Sequence, residues 1–242
     1  MPLQLHESCS ITSITLPTFE GYSFLPDIGG AMPTSQEEAM LRTLPILDRM
    51  RRIEGWLDDE EADLLIAATT KAASLASDEQ PTSVVEVGSY CGKSTIVLAL
   101  TLKGLGLHTA KVYGIDPHDG QVGAHDQGLV QTPPTLEKFS RNIRDAGVAD
   151  VIEPIKARSF EVTWNRPIAL LFIDALHDYP NVARDFYHFA DWVQPGALVA
   201  FHDYADYFPG VKKFVDELLS LGDYRLIERV KSLVVLERKR AS

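Results

Sequence analysis

The chain has 242 residues, 45% of them hydrophobic and 24% charged, enough for one sizeable soluble domain or one domain with a modest extension. Its net charge of -11 argues against a general nucleic-acid binder, and the dense basic run Arg238-Lys239-Arg240 reads as a solvated tail. No apolar run approaches the roughly 18 to 20 residues of a membrane span, and residues 1–13 lack a basic stretch followed by an apolar one, so a cytoplasmic protein without a membrane partner is expected.

Residues 1–55 mix Pro17, Pro26, Gly29, Gly30 and Pro33 with short apolar patches and read as an N-terminal helical arm or cap ahead of a main domain over 56–242. Helices are expected at 36–50 and 58–75, the second opened by Asp58 as N-cap with Glu61 three residues on. Strands and helices then alternate: a strand over 83–87, a helix over 94–102, a strand over 111–115, a helix over 135–146 and a strand over 151–155. The apolar run Ile168-Ala169-Leu170-Leu171-Phe172-Ile173 reads as a strand buried on both faces. A helix carrying Val182, Phe186, Phe189, Ala190 and Val193 follows, then a buried strand over 197–201, a helix presenting Val211, Phe214, Val215, Leu218 and Leu219, and a closing hairpin split by Lys231-Ser232. Such alternation implies an open, mostly parallel sheet with helices on both faces, whose ligands bind at the carboxyl ends of the strands.

The first strand runs into Glu86-Val87-Gly88-Ser89-Tyr90-Cys91-Gly92-Lys93-Ser94. Gly88 and Gly92 let the backbone turn tightly against a ligand, and Ser94 opens a helix whose N–H groups suit an anionic carboxylate. The dinucleotide G-x-G-x-x-G pattern is absent, and the loop is one residue short of P-loop spacing. One strand later, Asp116 in Gly114-Ile115-Asp116-Pro117-His118 is placed to accept hydrogen bonds from two ribose hydroxyls. The ends of the next two buried strands carry Asp174, His177, His202 and Asp203. Charges gathered beside apolar strands are costly unless paired or ligand-bound, so this cluster is the candidate for chemistry.

The E-x-G-x-x-x-G loop with Asp116 resembles the first two motifs of the class I S-adenosylmethionine (SAM)-dependent methyltransferases, and the likeness runs from about residue 81 to the closing hairpin. It implies a Rossmann-like seven-stranded sheet and a SAM site built from Glu86, Gly88, Ser89, Gly92, Ser94, Asp116 and Ser159. Gly88 and Gly92 would border the methionine part, Asp116 the ribose and Ser159 the adenine; Ser159 also reads as a plain helix cap. Phe172-Ile173-Asp174-Ala175-Leu176-His177-Asp178-Tyr179 resembles the F-I-D-x-x-H-x-Y pattern of bacterial O-methyltransferases acting on antibiotic sugars and related natural products. That likeness implies His177 as general base, Asp174 beside it, and a divalent metal on Asp174, His202 and Asp203. His202 stands where the subgroup has a carboxylate, which disfavours magnesium and favours a softer ion or no metal.

The expected partner is thus a small-molecule acceptor, and the glycine-rich insertion 119–134 is expected as a flexible loop covering it. Leu16, Phe19, Tyr22, Phe24 and Leu25 would let the arm cover the acceptor pocket or a subunit interface of a homo-oligomer. Two alternatives remain: a metal-independent N- or C-methyltransferase, and a SAM-binding protein without turnover.

Overall fold

The computed structural model describes residues 41–75, 83–107 and 109–240. The first forty residues of the expected arm, with its apolar patch, lie outside them. The helices are α1 (Thr43–Met50), α2 (Asp59–Ala73), α3 (Lys93–Gly104), α4 (Leu136–Asp145), α5 (Tyr179–Phe189) and α6 (Pro209–Leu221). The strands are β1 (Ser83–Val87), β2 (Lys111–Ile115), β3 (Gln121–Ala124), β4 (Gly128–Gln131), β5 (Ile152–Ile155), β6 (Ile168–Ile173), β7 (Val193–Phe201), β8 (Tyr224–Val230) and β9 (Leu233–Arg238).

Seven strands form one sheet in the order β5-β2-β1-β6-β7-β9-β8. β1 pairs in parallel with β2 and β6, β2 with β5 and β6 with β7, while β9 runs antiparallel to both β7 and β8. The chain leaves β1 toward β2 and later returns to β6 on its other side, so the order reverses at the β1–β6 boundary, where open α/β sheets hold their ligands.

Alternate residues of each strand feed two cores, as the two-residue side-chain period requires. Val84, Val112, Leu170 and Phe172 pack with α1, α2, α3 and α4; Val85, Tyr113, Leu171 and Phe201 pack with α5 and α6. Ile46, Leu47 and Met50 of α1 lie in the first core, which therefore takes in residues before 56. Asp58 accepts the N–H groups of Glu60 and Glu61 and completes a capping box with Glu61, as its spacing predicts. No described helix is long and apolar enough to cross a membrane.

Two expected elements differ. α5 stops at Phe189, and after a single 3-10 turn (Ala190–Trp192) Val193 opens β7 rather than closing the helix. The 119–134 insertion is a regular antiparallel hairpin, β3–β4, with Gln121 opposite Gln131 and Ala124 opposite Gly128, not a flexible loop. Its glycines supply hairpin geometry: Gly123 and Gly128 have φ of +104° and +97°.

Candidate active site

Register aligns the strand ends. Val87 faces Ile115 on one side and Ile173 on the other, and Ile173 faces Phe201. The next residues, Gly88, Asp116, Asp174 and His202, therefore emerge along one edge of the sheet. Backbone bonds hold that row: Gly88 N–H donates to the Ile115 carbonyl (2.9 Å), Asp174 N–H to Val87 (2.9 Å) and His202 N–H to Ile173 (3.1 Å). Gly88 has φ +97°, and a Cβ there would lie 2.0 Å from the Asp174 carbonyl oxygen, so no other residue fits. The row opens into one cavity of about 870 Å³ that reaches from Ser159 and Asp185 to Asp203 and Tyr207.

At the glycine-loop end, Asp116 Oδ2 accepts the Tyr90 N–H (2.8 Å) and Oδ1 the His118 N–H (2.6 Å). Each oxygen keeps a lone pair for a further donor from the cavity. Ser89, buried at 1% exposure, lines the cavity, and its Oγ has no partner among the described residues. Two residues expected to touch the cofactor serve the loop from beneath. Glu86 is fully buried, does not line the cavity, and accepts the hydroxyls of Ser94 and Thr95. Burial pushes its carboxyl up to about 7 despite those two donors. Gly92, with φ +88°, caps α3 and would press a Cβ onto the Phe139 ring at 3.2 Å. Ser94 does line the cavity, though its hydroxyl is given to Glu86.

Ser159 opens a 3-10 turn (Ser159–Glu161), lines the cavity and donates to Asp185 of α5. Burial lifts the Asp185 carboxyl to about 6. Asp185 is a cavity residue that the motifs did not reveal, because an Asp inside an amphipathic helix reads as surface.

The opposite end is a network of ionised side chains. His202, 3% exposed, places Nδ1 3.1 Å from Asp203 Oδ2 and 3.4 Å from Asp174 Oδ1, and Nε2 3.1 Å from Glu61 Oε2. Burial opposes its charge, but Asp174, Asp203 and Glu61 outweigh that and raise its pKa far above the usual histidine range. Asp203 and Asp174 are correspondingly held below the usual carboxylate range, against burial, by the imidazoles of His177 and His202. Carboxylates at both ring nitrogens of His202 favour its keeping both protons over offering a lone pair. Beside the expected metal set of Asp174, His202 and Asp203, a second group of donor atoms, those of Asp174, His177 and Asp203, lies within 4.8 Å of one another.

Glu61 is the partner that sequence reading missed. Its capping-box role is visible in the spacing, but the same carboxylate also takes the Ser232 N–H (3.1 Å) and hydroxyl (2.6 Å) across 171 residues, which no local pattern reports.

His177 sits on the loop between β6 and α5, against the Phe208 ring at 4.2 Å. Its Nε2 is 3.0 Å from Asp203 Oδ2 and 3.8 Å from Asp174 Oδ1, yet neither ring nitrogen makes an aligned hydrogen bond among the described residues. Burial works against its charge, while the Asp174 and Asp203 carboxylates prevail and lift its pKa to about 9.

A doubly wound sheet with a glycine loop, an acidic second strand end and an open cavity at its switch point is an arrangement in which open α/β sheets bind nucleoside ligands. Residues 85–204 match the family described as "Methyltransferase domain", and that stretch is a SAM-dependent methyltransferase domain. The chain is similar to the O-methyltransferase NovP, with 18% identity and a TM-score of 0.62 over 82% of this chain and 89% of that one. It is similar to the O-methyltransferase TomG from Streptomyces achromogenes, involved in tomaymycin synthesis and solved with SAM (17% identity, TM-score 0.54, 82% and 89% covered). It is also similar to CalS11, a TDP-rhamnose 3'-O-methyltransferase of calicheamicin biosynthesis (15%, 0.54, 75% and 81%). At such identities these likenesses establish the common fold.

Proposed function

We propose that the chain transfers the methyl group of SAM to a hydroxyl of a small molecule, a sugar or natural-product scaffold, with His177 as general base. One observation carries this reading: a single cavity joins the Gly88–Asp116 end to a buried imidazole whose ring nitrogens have no aligned partner. Asp116 accepts the ribose hydroxyls, Gly88, Ser89 and Ser94 border the methionine part, and Ser159, fixed by Asp185, faces the adenine. The O-methyltransferase activities named for NovP, TomG and CalS11, and the sugar nucleotide named for CalS11, favour a hydroxyl acceptor of this class.

Methyl transfer from a sulfonium is an in-line displacement that needs an oriented, deprotonated acceptor. Asp174 and Asp203 lie beside the His177 ring, and the acceptor hydroxyl gives its proton to a His177 nitrogen as the C–O bond forms and the C–S bond breaks. With both carboxylates bare, His177 is protonated at neutral pH. The sulfonium charge of bound SAM opposes that protonation and brings the imidazole toward its working form. Two carboxylates and an imidazole also fit a divalent cation; Asp174 and Asp203 would hold it, and when bound it would lower the acceptor's pKa.

The test is transfer of labelled methyl from SAM to hydroxyl-bearing and amine-bearing acceptors, with His177→Ala beside wild type. Hydroxyl acceptors should be labelled, and the variant should keep SAM affinity while kcat falls about a hundredfold, the usual scale for a lost base. Labelling of amines only, or a variant with wild-type kcat, would overturn the reading.

A further inference from the structure

The β3–β4 hairpin and the loop carrying His177 are joined by two reciprocal bonds. The His177 N–H donates to the Gly123 carbonyl in β3 at 3.0 Å. From the hairpin turn, the His125 N–H donates back to Asp178 Oδ2 at 3.1 Å. Asp178 is only 4% exposed and has a second duty as N-cap of α5, where Oδ1 takes the Asn181 N–H at 3.2 Å. The Asn181 side-chain amide, 2.8 Å from both oxygens, holds the carboxylate in plane between the two tasks. Gly210 of α6 presses on the same loop from another direction: a Cβ there would meet the Tyr179 N at 2.4 Å and the His177 carbonyl at 2.6 Å.

The hairpin is also a wall of the cavity. Val122, Gly123 and Val130 line it, and Val130 is 59% exposed although it is apolar. At its base, the Thr132 N–H closes on the Gly120 carbonyl (2.8 Å), and Asp119 pairs with Arg158 (2.9 Å). The wall is thus anchored at the ribose end by Asp119 and at the base end by Asp178.

We propose that Asp178 is a positioning residue for methyl transfer: it clasps the β3–β4 hairpin to the His177 loop, so that the cavity wall and the base hold one geometry. The proposal rests on the reading of His177 as base. The acceptor, seated against Val130, is then presented to an imidazole whose backbone hangs from the same hairpin. A misplacement of about 1 Å at a reacting group is enough to lower a rate by up to about a hundredfold, so a clasp of two bonds matters to turnover.

Asp178→Ser separates the two duties. Serine is a good N-cap and keeps α5 started, but its single, shorter hydroxyl cannot also reach His125. With S-adenosylhomocysteine (SAH) bound, the variant should keep SAH affinity within about twofold and show about tenfold faster amide exchange at both His125 and His177, because the opening of one releases the other. On the acceptor used for wild type, kcat should fall about tenfold. Asp178→Asn, which keeps one accepting oxygen, should fall between, and it serves if the serine variant does not fold. Unchanged kcat with a lowered melting temperature would make Asp178 only a helix cap and overturn the proposal. Faster exchange at His125 that leaves the His177 amide protected would also overturn it. The exchange arm needs no acceptor, so it tests the clasp even if wild type methylates none, an outcome that would sink the base assignment separately.

Discussion

The two ends of the cavity meet their carboxylates with donors of different kinds. At the cofactor end, Glu86, Asp116 and Asp185 are met by neutral donors: the Ser94 and Thr95 hydroxyls, two backbone N–H groups and the Ser159 hydroxyl. Burial prevails over those donors at Glu86 and Asp185, and both are pushed up, to about 7 and about 6. At the chemical end, Asp174, Asp203 and Glu61 are met by the imidazoles of His177 and His202, and all three are held low. A cofactor that arrives with its own positive charge suits the first arrangement. A proton-handling site suits the second, because charge can move between neighbours without leaving a carboxylate unpaired.

The contrast is sharpened most by removing its central cation. His202→Ala leaves Glu61, Asp174 and Asp203 facing one another in a buried site, and should destabilise the fold by about 3 to 5 kcal/mol, measured by urea unfolding at pH 7. A loss under about 1 kcal/mol would mean that the network is solvated and the contrast false.

At Glu86 the expected effect has a pH signature. A carboxyl raised from 4.5 to about 7 keeps its proton in the folded state after the unfolded chain has lost it. Stability should therefore fall as pH rises from about 4.5 to about 7, by up to about 3 kcal/mol, and level off above. Glu86→Gln should flatten that slope. The sign is opposite for Asp174 and Asp203, whose lowered values contribute stability at neutral pH that is lost only as pH falls below the usual carboxylate range. His177, raised from 6.5 to about 9, contributes stability below 6.5 that is lost as pH rises through about 9.

The smallest effect falls on the cofactor end alone. Asp116→Ala should weaken SAM binding by about 1.5 to 3 kcal/mol in calorimetric titration, since its carboxylate would lose its contact with the ribose hydroxyls. Unchanged affinity would remove Asp116 from the ribose.

The same contrast governs what the sequence could tell. β1, β2 and β6 stand where their apolar runs predict them, because a strand buried on both faces writes its burial into consecutive residues. Gly88 and Asp116 were legible because their demands are local: a φ of +97° and a place directly after a strand. The Asp174–His177–His202–Asp203 cluster was legible as a cluster, since adjacent parallel strands bring their ends together. Its internal division was not. Whether His202 faces a metal or Glu61 depends on a helix 141 residues away, and Asp185 acquires its role only when α5 packs beside Ser159. The hairpin over 119–134 reads as a loop in the sequence because β3 and β4 are four residues each and pair with one another, leaving no apolar run to mark them.

The central claim is that one cavity holds the methyl donor at one end and the base at the other. A crystal structure of the SAH complex tests it most directly. The account predicts both ribose hydroxyls on the Asp116 carboxylate, the adenine edge beside Ser159, and the sulfur facing Asp174 and His177 across the cavity. SAH bound elsewhere, or bound here with its ribose turned away from Asp116 and its sulfur away from His177, would contradict it.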